Sequence, residues 1–386
     1  MDTQRISRIQ SPVIPIVGQL IANHPGTISL GQGVVHYAPP EAIKSAVIQA
    51  IANDPRVHRY GMFYGIPEFI QQVASKLEAE NRIRVDERHR IICTAGSNMG
   101  FLNAVYAIAD PGDEIILLSP CYFNHEMAIT MADCRSVLVP TTDEYQIDFG
   151  RLKAAITART KAIVTVSPSN PTGAIYPAAD IVAVNRLCED HGIFHISDEA
   201  YEYFVYDGQQ PFSPASLDNA VEHTISLYSL SKAYGMAGWR VGYMLVPKRL
   251  EVAIKKVQDT NLVCPPIINQ FAGICAMQAG RDWCRQQIEP FSEVRDTVLD
   301  MLSTLGSRCH VPKPAGAFYV LMRVETQTPD MELVEELIKR FGVAVIPGST
   351  FGIQDGCYLR LSYGALEAQS VVAGMQRLVA GLSQLI

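Results

Sequence analysis

The sequence predicts an α/β fold, a large unit with a mainly parallel sheet flanked by helices followed by a smaller α+β unit. From about residue 90, short apolar, β-branched runs alternate with helical stretches long enough to serve as crossovers. That is the pattern of a parallel sheet covered on both faces. Beyond residue 305 the runs become shorter and lie between amphipathic helices, which points to a second unit. The chain has 386 residues, 48% hydrophobic and 18% charged. This is globular material for about two packed domains.

Strands are expected at residues 91–94, 115–118, 136–140, 162–166, 193–197, 224–228 and 241–246. Helices at 41–53 and 67–81 precede them, read from apolar positions recurring at helical spacing. Residues 250–305 read as mostly helical; short strands at 317–322, 343–346 and 358–362 follow, with helices at 331–340 and 366–385. The segment up to about residue 40 is rich in Pro and Gly and is expected to be irregular. The expected division is an N-terminal segment, 1–45, joining a small domain, a large domain over 46–280 and the small C-terminal domain over 281–386. No Gly/Ser linker separates the two, so tight packing is expected.

The net charge of -7, from 32 basic and 39 acidic residues, gives no broad attraction to nucleic acid or anionic membrane. The nine cysteines are odd in number and contain no Cys-x-x-Cys pair, which indicates neither a disulfide framework nor a zinc site. Free, mostly buried thiols in a cytoplasmic protein are the reading. No apolar run approaches the ~20 residues that span a bilayer, and residues 1–10 carry no signal-peptide core.

In open α/β sheets ligands bind beyond the carboxyl ends of the strands, so the residues that follow each expected strand carry the functional information. They are Ala95-Gly96-Ser97-Asn98, Ser119-Pro120-Cys121-Tyr122, Ser169-Asn170-Pro171-Thr172-Gly173, Asp198-Glu199-Ala200-Tyr201 and Ser229-Leu230-Ser231-Lys232, the last followed by Gly238-Trp239-Arg240. Any one of these is explained as a turn or a helix cap. Five strands delivering Ser, Asn, Asp, Tyr, Lys and Arg to one edge argue for a site.

Taken together, these segments resemble the signatures of the class I/II aminotransferases, pyridoxal-phosphate enzymes of fold type I. The Asn-Pro-Thr-Gly turn, the Asp-Glu-Ala-Tyr after a strand and Ser-x-Ser-Lys-x-x-Gly-x-x-Gly-x-Arg occur in the family's order. Gly65-Ile66-Pro67-Glu68, Pro347-Gly348-Ser349-x-Phe351-Gly352 and Arg360 extend the likeness over nearly the whole chain. The resemblance implies a fold-type-I large domain that binds the cofactor. Lys232 would carry it as a Schiff base and move a proton at the substrate Cα. Asp198 would keep the pyridine nitrogen protonated, and Tyr201 and Asn170 would hydrogen-bond the ring's phenolic oxygen. Gly96, Ser97 and Asn98 open a helix suited to a phosphate, with Arg240, Ser229 and Ser231 adding donors. Tyr122 would stack on the ring. Tyr60 would reach the phosphate of a neighbouring subunit, which implies a homodimer. Arg360 would clamp the substrate α-carboxylate, for which its planar fork is suited, and Gly33 would lie beside the substrate.

The substrate is read from the distal end. Positions where dicarboxylate-specific members carry a cation correspond to Asp259 and Asn98, neither of them basic. Gln32-Gly33-Val34-Val35-His36-Tyr37 and Tyr122-Phe123-Asn124 resemble the subgroup acting on aromatic amino acids and methionine, and Tyr37, Tyr122 and Phe123 are the expected apolar surroundings. Aspartate transamination is one alternative; β-lyase, decarboxylase or cyclopropane-forming synthase chemistry on the same fold is another. A ligand-sensing domain of a transcription factor is disfavoured because the fold is expected to begin almost at once. A nucleotide-binding protein is disfavoured by the lack of a Gly-rich dinucleotide or P-loop motif.

Overall fold

The structure is a computed structural model and describes residues 3–386. Its strands, in chain order, are β1 (Ile28–Ser29), β2 (His89–Thr94), β3 (Glu114–Ser119), β4 (Arg135–Pro140), β5 (Thr160–Val166), β6 (Phe194–Asp198), β7 (Thr224–Ser229), β8 (Gly242–Pro247), β9 (Cys309–His310), β10 (Tyr319–Val324), β11 (Val343–Ala344), β12 (Ile346–Pro347) and β13 (Cys357–Ser362). Seven of them form one sheet in the order β2-β8-β7-β6-β5-β3-β4. All seven were expected, and each lies within two residues of its expected bounds.

Neighbours from β4 to β7 pair in parallel, whereas β8 runs antiparallel to both β7 and β2. The carboxyl ends of β2, β3, β5, β6 and β7 therefore share one edge, and the connection from β7 to β8 turns back at that edge. Burial explains why the central strands read as unbroken apolar runs. Alternate side chains of a strand face opposite sides: Ile115 and Leu117 of β3 pack with Phe101, Ile129 and Ile254, whereas Ile116 and Leu118 pack with Leu152, Val184 and Leu187.

The remaining chain builds a four-stranded antiparallel sheet, β12-β13-β10-β9, with helices Asp330–Phe341 and Ala368–Leu385. β1 pairs in parallel with β11, so the start of the chain joins its last third. Among the described residues no helix is long and apolar enough to cross a membrane.

One expectation fails in the first forty residues, where an α-helix, Val13–Asn23, replaces the irregular segment. Its Pro15 is compatible with a helix because it lies in the first turn, where a backbone N–H has no intrahelical partner to lose. The strands β1 and β9, two residues each, are too short to carry a period and were not anticipated.

Gly242 ties the fold to the edge where the site forms. It opens β8 opposite both Thr94 and Ser229. A Cβ there would stand 2.7 Å from the Tyr228 carbonyl oxygen and 2.9 Å from the Gly96 carbonyl carbon and Ser97 nitrogen. These neighbours are backbone and cannot rotate away. Gly242→Ala is expected to cost about 1–3 kcal/mol, the usual range for overpacking. A denaturant melt checks this, and an unchanged midpoint would show that the Gly96 turn yields freely.

Candidate active site

β2 hands the chain to the helix Ser97–Ile108 through Gly96, whose φ of 83° is one that L side chains rarely adopt. No side chain caps this helix. Its first N–H groups thus remain available to an anion, which the helix dipole also favours. Arg240 lies against the same turn, so closely that a Cβ on Gly96 would overlap its guanidinium. The guanidinium donates to Ser231 Oγ at 3.4 Å and to the carbonyls of Ala237 and Ala95 at 3.0 and 3.3 Å. The side chain is held by neutral acceptors, so its charge remains available.

Lys232 follows β7 in the connection to β8. Its Nζ donates to the Gly33 carbonyl at 2.5 Å. Burial, reinforced by the cations Arg360 and Arg240 and opposed by Asp198, pushes its pKa down to about 8. Asp198 ends β6; its Oδ1 accepts the Ala200 N–H at 3.1 Å, and its Oδ2 lies 3.1 Å from His125 Nε2. His125 is itself buried, stacked on Phe101 at 3.9 Å between ring centroids.

Arg360 comes from β13, in the smaller sheet, and is 2% exposed. It donates to Asn170 Oδ1 at 3.1 Å and to the Gly31 carbonyl at 2.6 Å, while its Nε has no partner. The Tyr319 and Phe351 rings lie 4.7 and 5.0 Å from the guanidinium carbon. No carboxylate pairs with it among the described residues, and burial pushes its pKa below the ordinary arginine value. A buried cation without a counter-ion is costly, so the geometry is that of an anion receptor. Tyr201 and Tyr319 share a hydrogen bond of 2.8 Å between their hydroxyls.

These groups surround one cavity of about 210 Å³. Gly33, Ser97, Asn98, Tyr122, Asn170 and Asp198 line one part of it; Tyr201, Ser229, Ser231, Lys232, Arg240 and Arg360 line the rest. Gly96 sits directly behind, at the helix cap. Tyr60 is not brought in; it is 85% exposed on the surface. Two supporting expectations need correction. The Tyr37 hydroxyl donates to the carbonyls of Lys232 and Ala233, at 3.2 and 3.0 Å, so Tyr37 braces the lysine segment instead of lining the cavity. Asp259 is exposed on helix Glu251–Asn261 and lies outside this cavity, so it does not decide the charge at the distal end within one protomer.

Sequence reasoning missed His125, Tyr319 and Ile14, whereas Gln32, part of the segment singled out at the substrate end, does line the cavity. Ile14 lines the cavity from the unanticipated N-terminal helix. Tyr319 lay within the strand expected at 317–322, but that this strand pairs with the one carrying Arg360 emerges only from the structure. His125 had only its place three residues after Tyr122.

Comparison with known proteins accords with this geometry. Residues 25–378 match the family described as aminotransferase class I and II. An aromatic aminotransferase of Arabidopsis thaliana is 32% identical, over 100% of this chain and 97% of the relative. An aspartate/prephenate aminotransferase of Thermus thermophilus is 36% identical, over 88% of this chain and 87% of its own length. Among solved structures, the aspartate aminotransferase of Rhizobium meliloti superposes with a TM-score of 0.91 at 29% identity, covering 100% of both chains. A chain with this fold, this convergence of lysine, acid and unpaired arginines, and this span of likeness belongs to the class I and II aminotransferase family and is a pyridoxal-phosphate-dependent aminotransferase.

Proposed function

We propose that this enzyme transfers the amino group of an aromatic amino acid or methionine to a 2-oxo acid, with Lys232 as the lysine that carries the cofactor. The observation that carries the substrate reading is the composition of the cavity wall. Its cations are Lys232, Arg240 and Arg360, and Ile14, Phe123 and Tyr122 supply apolar surface. Arg360 serves the α-carboxylate and Arg240 the phosphate, which leaves no cation for a distal carboxylate. A distal carboxylate moved into the cavity loses hydration without return, whereas an apolar side chain gains roughly 25 cal/mol per Å² buried. Relatives named for aromatic and for aspartate/prephenate transamination are both close in sequence, so the wall, not the likeness, favours the apolar substrates.

The residues fit pyridoxal phosphate. The uncapped helix at Ser97, together with Arg240, suits a phosphate dianion. Asp198, buried at the end of β6, suits a protonated pyridine nitrogen. Tyr122, Tyr201 and Asn170 also line the cavity; Tyr122 would stack on the ring, and Tyr201 and Asn170 would hydrogen-bond its phenolic oxygen. When bound, the cofactor supplies a cationic ring that accepts the electron pair freed at the substrate Cα. The chain's own part is positioning and proton transfer. Arg360 fixes the α-carboxylate through its fork. Lys232 Nζ, largely neutral above pH 8, is the group that would hold and move the proton of the substrate Cα. Gly33 leaves room for the Tyr319 hydroxyl, which a Cβ there would approach to 2.8 Å.

The reading extends to the assembly. Tyr60, Met62, Ile48, Ile51 and Val263 are exposed apolar residues, and Gly61 donates to Cys264 Sγ, which brings the Tyr60 and Val263 segments together. Such a patch suits a homodimer in which Tyr60 completes the neighbouring phosphate site. A large cofactor-binding domain over 46–280 and a small domain over 281–386, joined by the N-terminal segment through β1, is the division that goes with it. Nine unpaired cysteines support a cytoplasmic setting.

Three outcomes test the reading. The neutral amine is the reactive form, and the Lys232 pKa lies at about 8 instead of 10.5. Incorporation of pyridoxal phosphate into apoenzyme, trapped with borohydride and mapped to peptides, should therefore rise about tenfold per pH unit below 8 and level off above it. A label on another lysine, or a rate still climbing past pH 10, overturns the assignment. Arg360→Lys keeps a charge but loses the fork; kcat/KM should fall about 10–150-fold while the cofactor stays bound, and unchanged kinetics would remove Arg360 from the site. With a common 2-oxo acid, kcat/KM for phenylalanine and methionine should exceed that for aspartate and glutamate; a large preference for aspartate sinks the substrate reading.

A further inference from the structure

Tyr319 lines the cavity, and the reading above gives it no task. It opens β10 opposite Ser362, which puts it diagonal to Arg360 on the same face of the antiparallel pair. Diagonal neighbours of this kind are within reach of aromatic and long side chains, and the Arg360 guanidinium carbon lies 4.7 Å from the ring centre. The hydroxyl reaches the other way, to Tyr201 at 2.8 Å. Both tyrosines are buried, and neither hydroxyl has another protein partner among the described residues.

A hydroxyl–hydroxyl contact holds one proton between its oxygens, so one tyrosine donates and the other keeps a hydrogen to direct elsewhere. We infer that Tyr319 is a positioning residue with two separable duties: its hydroxyl donates to Tyr201 and thereby turns the Tyr201 hydrogen into the cavity, and its ring carries Arg360. The inference rests on the cofactor reading of Tyr201 proposed above. The charges around the pair support the direction of donation. Arg360 lies over the Tyr319 ring, 4.7 Å from its centre, and a cation there draws charge density from that phenol and makes it the better donor of the two. The other titratable groups at the cavity are Lys232, 5.9 Å from the Tyr201 ring centre, and Tyr122, Asp198 and Arg240. None of them makes a hydrogen bond to either hydroxyl.

A donor aimed at the cofactor's phenolic oxygen stabilises negative charge there and lowers the pKa read from the pH dependence of cofactor absorbance. Three variants of the holoenzyme test this, each first checked for cofactor content and thermal melt. Tyr319→Phe removes only the hydroxyl and should raise the absorbance pKa by about half to one unit, with the KM for the amino acid little changed. Tyr319→Leu removes the ring as well and should in addition raise that KM roughly 2–30-fold, as Arg360 loses its aromatic support. Tyr201→Phe should raise the absorbance pKa at least as far, and adding Tyr319→Phe to it should produce no further shift, since the second hydroxyl acts through the first. An unshifted Tyr319→Phe beside a shifted Tyr201→Phe overturns the inference. If Tyr201→Phe itself leaves the spectrum unmoved, the cofactor reading of Tyr201 is what fails. If Tyr319→Leu does not fold, Tyr319→Phe and the double variant still decide.

Discussion

The organising constraint of this structure is a cation buried without a counter-ion. Arg360 is held by a carbonyl, an amide oxygen and two aromatic rings, none of which carries a full negative charge. Desolvating a guanidinium this far is unfavourable unless an anion completes the site. The same field acts on Lys232, whose amine burial and the two arginines push toward the neutral form. One acid, Asp198, lines the cavity; it lies beside His125 and makes no ion pair with Arg360 among the described residues. A cavity with this balance suits anionic groups beside Arg240 and Arg360, with the Lys232 amine close to both cations. That arrangement is what an enzyme of this family needs for a phosphate at one end and a carboxylate at the other.

Much of this was legible in the sequence because it follows from topology. Strands such as β3, buried on both faces, are apolar at every position between their ends, and that gives them away. Polar residues immediately after such strands stand out because an edge that binds ligands is where a buried sheet tolerates them. Lys232, Asp198, Asn170 and Ser97 were found by this logic, and family motifs supplied their roles. Arg360 was singled out by its likeness to the family's carboxylate-binding arginine, and its place between the buried Leu359 and Leu361 leaves it no solvent to point to.

What was missed lacks that kind of signal. His125 and Tyr319 are set by contacts across the chain, to Asp198 and Tyr201, and such pairings have no local period. The helix Val13–Asn23 was hidden by the Pro and Gly content of the opening segment, and its Pro15 is tolerated because it lies in the first turn. Tyr37 illustrates the converse error. Its motif places it near the substrate, but its hydroxyl is committed to two carbonyls of the lysine segment, and Trp283 and Phe291 pack edge-on against its ring.

The reversal of β8 has a mechanical consequence. A residue in an ordinary strand-to-helix loop is anchored firmly on one side only, and its backbone can drift with the loop. Lys232 and Arg240 lie instead on a hairpin connection whose two legs are central strands, closed by the Leu230 N–H on the Val241 carbonyl and braced from behind by Tyr37. Backbone travel at the lysine would require two adjacent strands to move together. The reach needed to pass a proton between neighbouring atoms must then come from rotation about the methylene stem of the lysine. The segment acts as a fixed mount, and its one supple arm is the side chain itself.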